Sequence, residues 1–408
     1  MKNACRLITT AACAVFLVCA VRSMAVDWSQ WRGANRDGKA TNFTAPKTWP
    51  AALTQQWKVN VGLGDASPAL VGKMLYLSAR QGDNEVTLCL DAATGKEIWR
   101  DQFAAPAIGG PASGHPGPRG TPAVAAGKVV TLGVYGALSC LDAATGKVVW
   151  RKTDITGMPM FGTGMSPIIV GKMCIANLGG RDNGAINAYD LATGALVWTC
   201  PGQVPSYSSP ILMTVNGVKQ LVIYTDKNLE GVSLADGKVL WKVPAQPNSR
   251  YYNSATPIID GQTVICTGQG QGTKALKIDK TGDTFTAAEL WNNKDLGVGY
   301  CSPVLQNGML YGISDKGSYF FMNAQTGQTL WIDSVTRREN YGCIVDAGNI
   351  LLGLPNDSTL SVFEPNAAKF SELAKIKVAE TPTYAFPVVS GKNIYIKDLD
   401  SLMLYAVE

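Results

Sequence analysis

Short apolar runs separated by glycine-containing turns follow one another along most of the chain. In one recurring form, a Ser or Thr precedes Pro, and two apolar runs flank a Gly or Asn turn, as in SPIIVGKMCIA from Ser166. Apolar runs of this length, bounded by turn residues, predict short buried β-strands joined as hairpins. Six copies and two degenerate ones begin at Ser67, Thr121, Ser166, Ser209, Thr256, Ser302, Gly342 and Phe386.

A second phrase alternates with the first and predicts another hairpin. It reads LDAATGKEIW over residues 90–99, LDAATGKVVW over 141–150 and YDLATGALVW over 189–198, with looser copies further on. The Asp or Asn side chain can accept hydrogen bonds from nearby amides, and Gly supplies the positive φ that closes the turn. The β-branched residues that follow begin the next strand.

Each unit therefore holds two hairpins, or four antiparallel strands, and the units start 40 to 54 residues apart. A period of four short strands is typical of a β-propeller. We predict an all-β propeller of eight blades over residues 51–408, or seven if one weak copy is a loop. Trp57 has no hairpin before it, and the last unit has no Trp strand after it. Residues 51–59 should therefore form the outermost strand of the last blade and close the ring.

A tryptophan ends nearly every unit and is expected to dock one blade against the next. Blades that pack face to face need a large apolar side chain between them. An indole buries ~200 Å² and can donate its N–H to a neighbouring carbonyl. The predicted docking residues are Trp57, Trp99, Trp150, Trp198, Trp241, Trp291 and Trp331.

Composition agrees with this fold and removes several function classes. With 46% hydrophobic and 16% charged residues, the chain is not intrinsically disordered. The 43 glycines and 21 prolines among 408 residues favour strands and turns over helices. His115 is the only histidine, which excludes a multi-histidine metal site and argues against a histidine relay. We predict no metal site.

The first 25 residues have the pattern of a secretory signal. Lys2 and Arg6 precede an apolar run over residues 7–21, and Ser23-Met24-Ala25 forms a small-x-small cleavage pattern. We expect export to the periplasm or the extracellular space, with no membrane span. A lipid anchor at Cys19 is an alternative that the preceding Val18 disfavours.

Charge and cysteine content describe the exported part. Removing the three basic residues of the first 25 lowers the net charge from +5 to +2. A nearly neutral chain lacks the excess positive charge that is typical of nucleic-acid-binding proteins. Seven cysteines remain, none adjacent to another and none in a C-x-x-C motif. Most lie in apolar runs, which favours buried thiols over a disulfide framework, although their pairing stays open.

The x-D-x-x-T-G-x-x-x-W phrase resembles the tryptophan-docking repeat of the pyrroloquinoline-quinone (PQQ) propeller superfamily. The opening DWSQWRGANRDG over residues 27–38 also looks like the start of exported propellers of this group. The superfamily contains quinoprotein dehydrogenases and non-enzymatic members, such as the propeller lipoprotein that assists outer-membrane protein assembly. The resemblance therefore implies the fold and leaves both branches open.

The enzyme branch implies features that can be compared with this sequence. Quinoprotein alcohol dehydrogenases carry adjacent cysteines over the cofactor, a calcium held by acidic and amide side chains, and an aspartate base. Here no two cysteines are neighbours, no haem attachment motif is present, and Asp65 and Glu339 are the nearest acids to the predicted channel mouth. PQQ with Ca²⁺ is a cofactor that the resemblance allows and that these departures disfavour.

The inner strands of a propeller line a central channel, and loops at its mouth usually carry function. Residues just before the Ser/Thr-Pro phrase should ring this mouth, and they are rich in Tyr and Arg, which bind planar, anionic, sugar or peptide ligands. Alternatively, the tyrosines only plug the channel. The candidate ligand-binding residues are Asp65, Arg119, Tyr207, Tyr252, Asn253, Tyr300, Arg338, Tyr341 and Tyr384, and no catalytic residue is predicted.

Two further segments have alternative interpretations. The Gly/Pro-rich loop of residues 109–120 holds His115 and Arg119, and is either a mobile lid or an ordinary connection between blades. Residues 26–50, with Trp28, Trp31 and Arg32, should form an N-terminal strap that packs across the ring.

Three functional hypotheses remain from the sequence. The first is a binding or scaffold module of the bacterial envelope, with another envelope protein as partner. The second is a quinoprotein oxidoreductase with an atypical site. The third is a carbohydrate-binding propeller, with a glycan bound by the Tyr-rich mouth.

Overall fold

The computed structural model describes residues 28–245, 252–335, 337, 340–366 and 368–407. Their strands form eight four-stranded antiparallel sheets, so the prediction of an eight-bladed, all-β propeller is confirmed. The predicted signal of residues 1–25 lies outside the described residues. Within the described part of the chain, no helix is long and apolar enough to cross a membrane.

The first four blades follow the two-hairpin pattern of the sequence. Blade 1 contains β2 (Ala69–Val71), β3 (Met74–Gln81), β4 (Asn84–Asp91) and β5 (Glu97–Ala104), and blade 2 contains β6 (Ala123–Ala125), β7 (Lys128–Leu132), β8 (Leu138–Asp142) and β9 (Val148–Lys152). Blade 3 contains β10 (Ile168–Val170), β11 (Met173–Leu178), β12 (Ala185–Asp190) and β13 (Leu196–Pro201), and blade 4 contains β14 (Ile211–Val215), β15 (Val218–Tyr224), β16 (Asn228–Ser233) and β17 (Val239–Pro244). A 3₁₀ helix, Gly110–Ala112, lies between blades 1 and 2.

The remaining blades repeat the pattern. Blade 5 contains β18 (Ile258–Asp260), β19 (Thr263–Gly268), β20 (Gly272–Thr281) and β21 (Thr284–Asn293), and blade 6 contains β22 (Val304–Gln306), β23 (Met309–Ile313), β24 (Tyr319–Asn323) and β25 (Thr329–Ile332). Blade 7 contains β26 (Gly342–Asp346), β27 (Leu351–Pro355), β28 (Thr359–Glu364) and β29 (Ser371–Lys377), and blade 8 contains β30 (Val388–Ser390), β31 (Asn393–Lys397), β32 (Ser401–Ala406) and β1 (Thr54–Asn60).

Blade 8 is built from both ends of the propeller, as predicted. β1 pairs antiparallel with β32, and Trp57 lies opposite Leu404. This pairing provides the outermost strand that the last unit lacks and leaves no gap in the ring. The predicted ring closure is confirmed.

Tryptophans join successive blades through one repeated contact. Trp99 Nε1 in blade 1 donates to the Ala143 carbonyl in blade 2 at 3.1 Å, beside a turn whose Gly146 has φ +72°. A Cβ at Gly146 would lie 2.5 Å from the Trp99 ring, so only glycine fits against the indole. The same inter-blade hydrogen bond, at 2.9 to 3.1 Å, joins Trp150 to Leu191, Trp198 to Leu234, Trp291 to Ala324, and Trp331 to Asn366.

Two docking tryptophans depart from this rule. Trp241 Nε1 donates at 2.5 Å to Gln220 Oε1 in its own blade, because the turn of blade 5 is the stretched version of the phrase. Trp57 packs against Gly95 of blade 1, but its buried Nε1 has no hydrogen-bond partner. Both indoles still pack at a blade interface, so the apolar contact is more constant than the hydrogen bond.

Candidate functional site

The Ser and Thr of the Ser/Thr-Pro phrase align the starts of the inner strands at the channel mouth. The Thr121 amide donates to Ser166 Oγ, and the Ser166 amide donates in turn to Ser209 Oγ, both at 2.9 Å. Phe386 makes the equivalent bond to Ser67 Oγ across the closure of the ring at 2.6 Å. These bonds explain the hydroxyl residue at this position and fix the residues before it around the mouth.

On one side of the mouth, Asp65 contacts the only histidine of the chain. His115 Nδ1 lies 2.8 Å from Asp65 Oδ2, although the two residues are 50 positions apart. Arg119 donates to the His115 carbonyl at 2.9 Å and to the Phe161 carbonyl. Burial lowers the pKa of Arg119, while the nearby Asp65 carboxylate acts in the opposite direction. The loop of residues 109–120 is therefore fixed to the mouth at both His115 and Arg119.

Three tyrosines continue the surface from this histidine. The Tyr300 and Tyr341 rings are stacked, with centroids 4.0 Å apart and planes 2° apart. Tyr384 contacts Tyr341 edge to face at 5.3 Å and His115 at 4.8 Å. The exposed fraction of Tyr300 is 40%, so this row presents an aromatic face to solvent.

A second aromatic cluster lies across the mouth, on blades 3 to 5. Phe161, Tyr207 and Tyr252 contact one another edge to face, with centroids 5.2 to 6.0 Å apart. The Phe161 amide donates to the Tyr207 hydroxyl at 3.2 Å. Burial raises the pKa of Tyr207 to about 12, so the phenol stays neutral at physiological pH. The two aromatic groups together surround the mouth.

Two of the predicted ligand-binding residues, Asn253 and Arg338, are not part of the two aromatic groups at the mouth. Asn253 is only 4% exposed, and its amide donates to the carbonyls of Thr225 at 3.0 Å and Ala245 at 2.8 Å. It therefore holds the loops of blade 4 in place through its side-chain amide. Arg338 lies outside the described residues. Phe161 was missed from the sequence because it follows no repeat phrase.

A cleft of about 270 Å³ opens beside the second aromatic cluster. Two methionines form part of its wall, and the exposed fraction of Met160 is 66%. Two opposite charges, Arg181 and Asp226, also border it, and burial raises the pKa of Asp226. The cleft is lined by Met158, Pro159, Met160, Gly180, Arg181, Val204, Pro205, Ser206, Tyr207, Asp226, Tyr252 and Asn253.

Below the mouth, the channel is filled by the chain itself. Strap residues 28–44 contact inner strands on opposite sides of the ring, which places them on the channel axis. Leu70 of blade 1 donates its amide to the Trp28 carbonyl at 2.9 Å, and Ala40 donates to Asp346 of blade 7 at 2.7 Å. Trp31 Nε1 donates to Thr256 Oγ1 of blade 5 at 2.9 Å.

The residues of the channel do not fit PQQ with calcium. PQQ is a planar tricarboxylate, whereas the centre of the ring holds strap side chains, including Trp31, Arg32 and Arg36, which bond to blades 5, 6 and 3. Within the described residues, no group of three or more His, Cys, Asp or Glu side chains is placed to hold a metal ion. The seven described cysteines are buried free thiols.

Comparisons with known proteins agree with the repeat pattern. A family model described as outer membrane protein assembly factor BamB matches residues 82–333. BamB of Yersinia pestis is 24% identical over 316 residues, which cover 76% of this chain and 67% of that protein. Quinohemoprotein alcohol dehydrogenase ADH IIB of Pseudomonas putida is 34% identical over 145 residues, which cover 34% of this chain and 20% of the enzyme.

Among solved structures, quinohemoprotein alcohol dehydrogenase from Comamonas testosteroni has a TM-score of 0.69 and 16% identity, covering 94% of this chain and 80% of the enzyme. At this identity the likeness shows the fold alone. The family model, in contrast, spans more than half of the chain. The chain therefore belongs to the PQQ-like β-propeller family whose model is described as outer membrane protein assembly factor BamB.

Proposed function

We propose that this protein is an exported binding module of the bacterial cell envelope, which holds another envelope protein on its channel-mouth face. The family match and the BamB relatives support a scaffold role. The position of the strap supports recognition on the face, because residues of the strap cross the centre of the ring and bond to blades 3, 5 and 6.

The observation that carries the proposal is the cleft beside Tyr207 and Tyr252. A volume of about 270 Å³ is large enough for one or two partner side chains and small for a whole cofactor. Its tyrosines and methionines supply large, adaptable apolar contacts, which are common in interface centres. Arg181 and Asp226 can orient a partner through opposite charges. A glycan is less well matched, since apolar side chains form much of the wall.

Site-specific photocrosslinking in the native host would test this role. A photoreactive residue at Met160, on the rim of the cleft, should crosslink to one envelope protein. Leu290, which is 54% exposed on the outer strand of blade 5, is the matched control and should not give that product. Binding of the identified partner in purified form should then weaken at least tenfold in Tyr252→Ala, as expected for an aromatic anchor.

Other results would contradict the proposal. Equal crosslinking from positions 160 and 290 would show that contact is non-specific. Unchanged affinity in Tyr252→Ala, with the thermal unfolding temperature preserved, would place the partner elsewhere. Stabilisation by glycans that Tyr252→Ala abolishes would favour carbohydrate binding.

The quinoprotein alternative rests on the 34% identity to ADH IIB over 145 residues. PQQ together with Ca²⁺ should then raise the unfolding temperature, because a ligand that binds only the folded state stabilises it. Dye-linked alcohol oxidation should appear at the same time. We expect neither result, since strap side chains fill the axis of the channel.

A further inference from the structure

One methionine differs from all other methionines of the described chain in its exposure. Met160 is 66% exposed. Four others are at most 3% exposed, namely Met165, Met213, Met322 and Met403, and the rest are half-buried. An oxidant in solution must reach the thioether sulfur to convert it to the sulfoxide. Met160 is therefore the methionine that a dissolved oxidant should modify first.

The sulfur of Met160 has a defined neighbour in the cleft beside the second aromatic cluster. The Tyr252 hydroxyl donates to Met160 Sδ at 3.7 Å, and both side chains line this cleft. A thioether sulfur is only a weak acceptor, so the present contact holds the Tyr252 hydroxyl loosely. A stronger acceptor at the same place would hold it more firmly.

The loop that carries Met160 is fixed at the next residue. The Phe161 amide donates to the Tyr207 hydroxyl at 3.2 Å, and the Phe161 carbonyl accepts from Arg119. The Phe161 ring also packs edge to face on Tyr252, with centroids 5.2 Å apart. A modified side chain at position 160 would therefore stay beside Tyr252.

Oxidation would change the chemistry of this wall. The Sδ lone pair attacks one oxygen of a peroxide, the O–O bond breaks, and hydrogen peroxide yields the sulfoxide and water. The sulfur loses two electrons and the peroxide gains them. The product is a polar side chain in place of an apolar one. Its new oxygen is bonded to the atom that already faces the Tyr252 hydroxyl.

We propose that Met160 is a reversible oxidation site, through which peroxides weaken the binding of a partner to the cleft. This inference rests on the partner-binding role proposed above. The sulfoxide oxygen would accept a hydrogen bond from Tyr252, and an apolar partner surface that covers it would have to displace its water. A methionine sulfoxide reductase can restore the thioether, with two electrons from a thiol reductant and release of the oxygen as water.

Limited oxidation of the intact protein with hydrogen peroxide tests the site without a partner. Peptide mass spectrometry should show a gain of about 16 Da at Met160 roughly tenfold faster than at Met213 or Met322. The unfolding temperature of the singly oxidised protein should stay within about 1 °C of the untreated one, since so exposed a side chain contributes little to the core. Equal oxidation rates at Met160 and the buried methionines would overturn the proposal, and so would a large loss of stability.

Photocrosslinking tests the consequence for binding. A photoreactive residue replaces the exposed Arg181, which also borders the cleft. The purified protein is treated with peroxide, freed of peroxide by catalase, and added to an envelope extract of the native host. Oxidation should lower the yield of the crosslinked product about fivefold, and prior treatment with a methionine sulfoxide reductase should restore it.

Two substitutions assign this effect to one sulfur. In Met160→Leu the yield should no longer respond to peroxide, because the apolar wall is kept without an oxidisable atom. Met309→Leu is the matched control, since Met309 is half-buried in blade 6 and does not line the cleft, and it should respond like the wild type. Equal loss of product in both variants would contradict the role of Met160. A product that ignores peroxide overturns the oxidation site alone, whereas the absence of any product before oxidation overturns the partner-binding role as well.

Discussion

The blade interfaces and the channel mouth of this propeller are built from different kinds of residues. At an interface, one indole, one turn glycine and one carbonyl recur from blade to blade, as in the contact of Trp99 with Gly146 and Ala143. At the mouth, each loop contributes a different group, such as the Asp65–His115 contact and the stack of Tyr300 on Tyr341. The repeated residues specify the ring, while the unrepeated ones can vary with a ligand.

The largest expected effect comes from breaking an interface. In Gly146→Ala, a methyl group would meet the Trp99 ring at 2.5 Å in addition to the strain of a positive φ. We expect the free energy of unfolding, measured by chemical denaturation, to fall by about 3 kcal/mol. Gly127→Ala is the matched control, because Gly127 has φ +71° but open space around its Cβ position. The free energy of unfolding of this control should fall by only about 1 kcal/mol. Equal losses would show that backbone strain, and not the indole contact, requires the glycine.

The same contrast explains why the fold could be predicted from the sequence while most contacts at the channel mouth could not. Nearly every unit carries its own turn and tryptophan, so eight blades were predictable from local signals, and the unpaired Trp57 indicated the ring closure. At the channel mouth, the sequence predicted which residues lie there but not which of them contact one another. The Asp65–His115 contact spans 50 residues through an irregular loop, and Phe161 follows no phrase, so neither could be inferred. The burial of Arg32 and Arg36, each only 1% exposed, was also unexpected, because arginine is rarely fully buried.

A lysine between the last blade and the mouth gives a pH-dependent prediction of intermediate size. Lys397 is 1% exposed, and its ammonium donates to the Gly64 carbonyl at 2.7 Å. Burial lowers its pKa to about 8, although Asp65, Asp398 and Asp400 act in the opposite direction. The unfolded chain therefore binds more protons than the folded one between about pH 8 and the ordinary lysine pKa. The contribution of Lys397 to stability rises with pH over that range.

Comparison with a variant isolates this contribution. From pH 7.5 to 9.5, the free energy of unfolding of the wild type should rise by about 1 to 2 kcal/mol relative to Lys397→Met. The exposed Lys392→Met should follow the wild type. A wild-type curve parallel to that of Lys397→Met would mean that the lysine keeps an ordinary pKa in the folded protein.

The smallest effect on stability is expected at the mouth itself. Tyr300 is 40% exposed and stacks on Tyr341. Tyr300→Ala should therefore lower the free energy of unfolding by about 1 kcal/mol or less, which is well below the decrease expected for Gly146→Ala. Tyr300→Phe keeps the stack and should match the wild type, as measured by chemical denaturation. If Tyr300→Ala lowers the free energy of unfolding as much as Gly146→Ala does, the tyrosines are part of the core. That result would favour the alternative in which they only plug the channel. A small loss leaves their exposed faces available for a partner, because a side chain that contributes little to folding can still contribute strongly to binding.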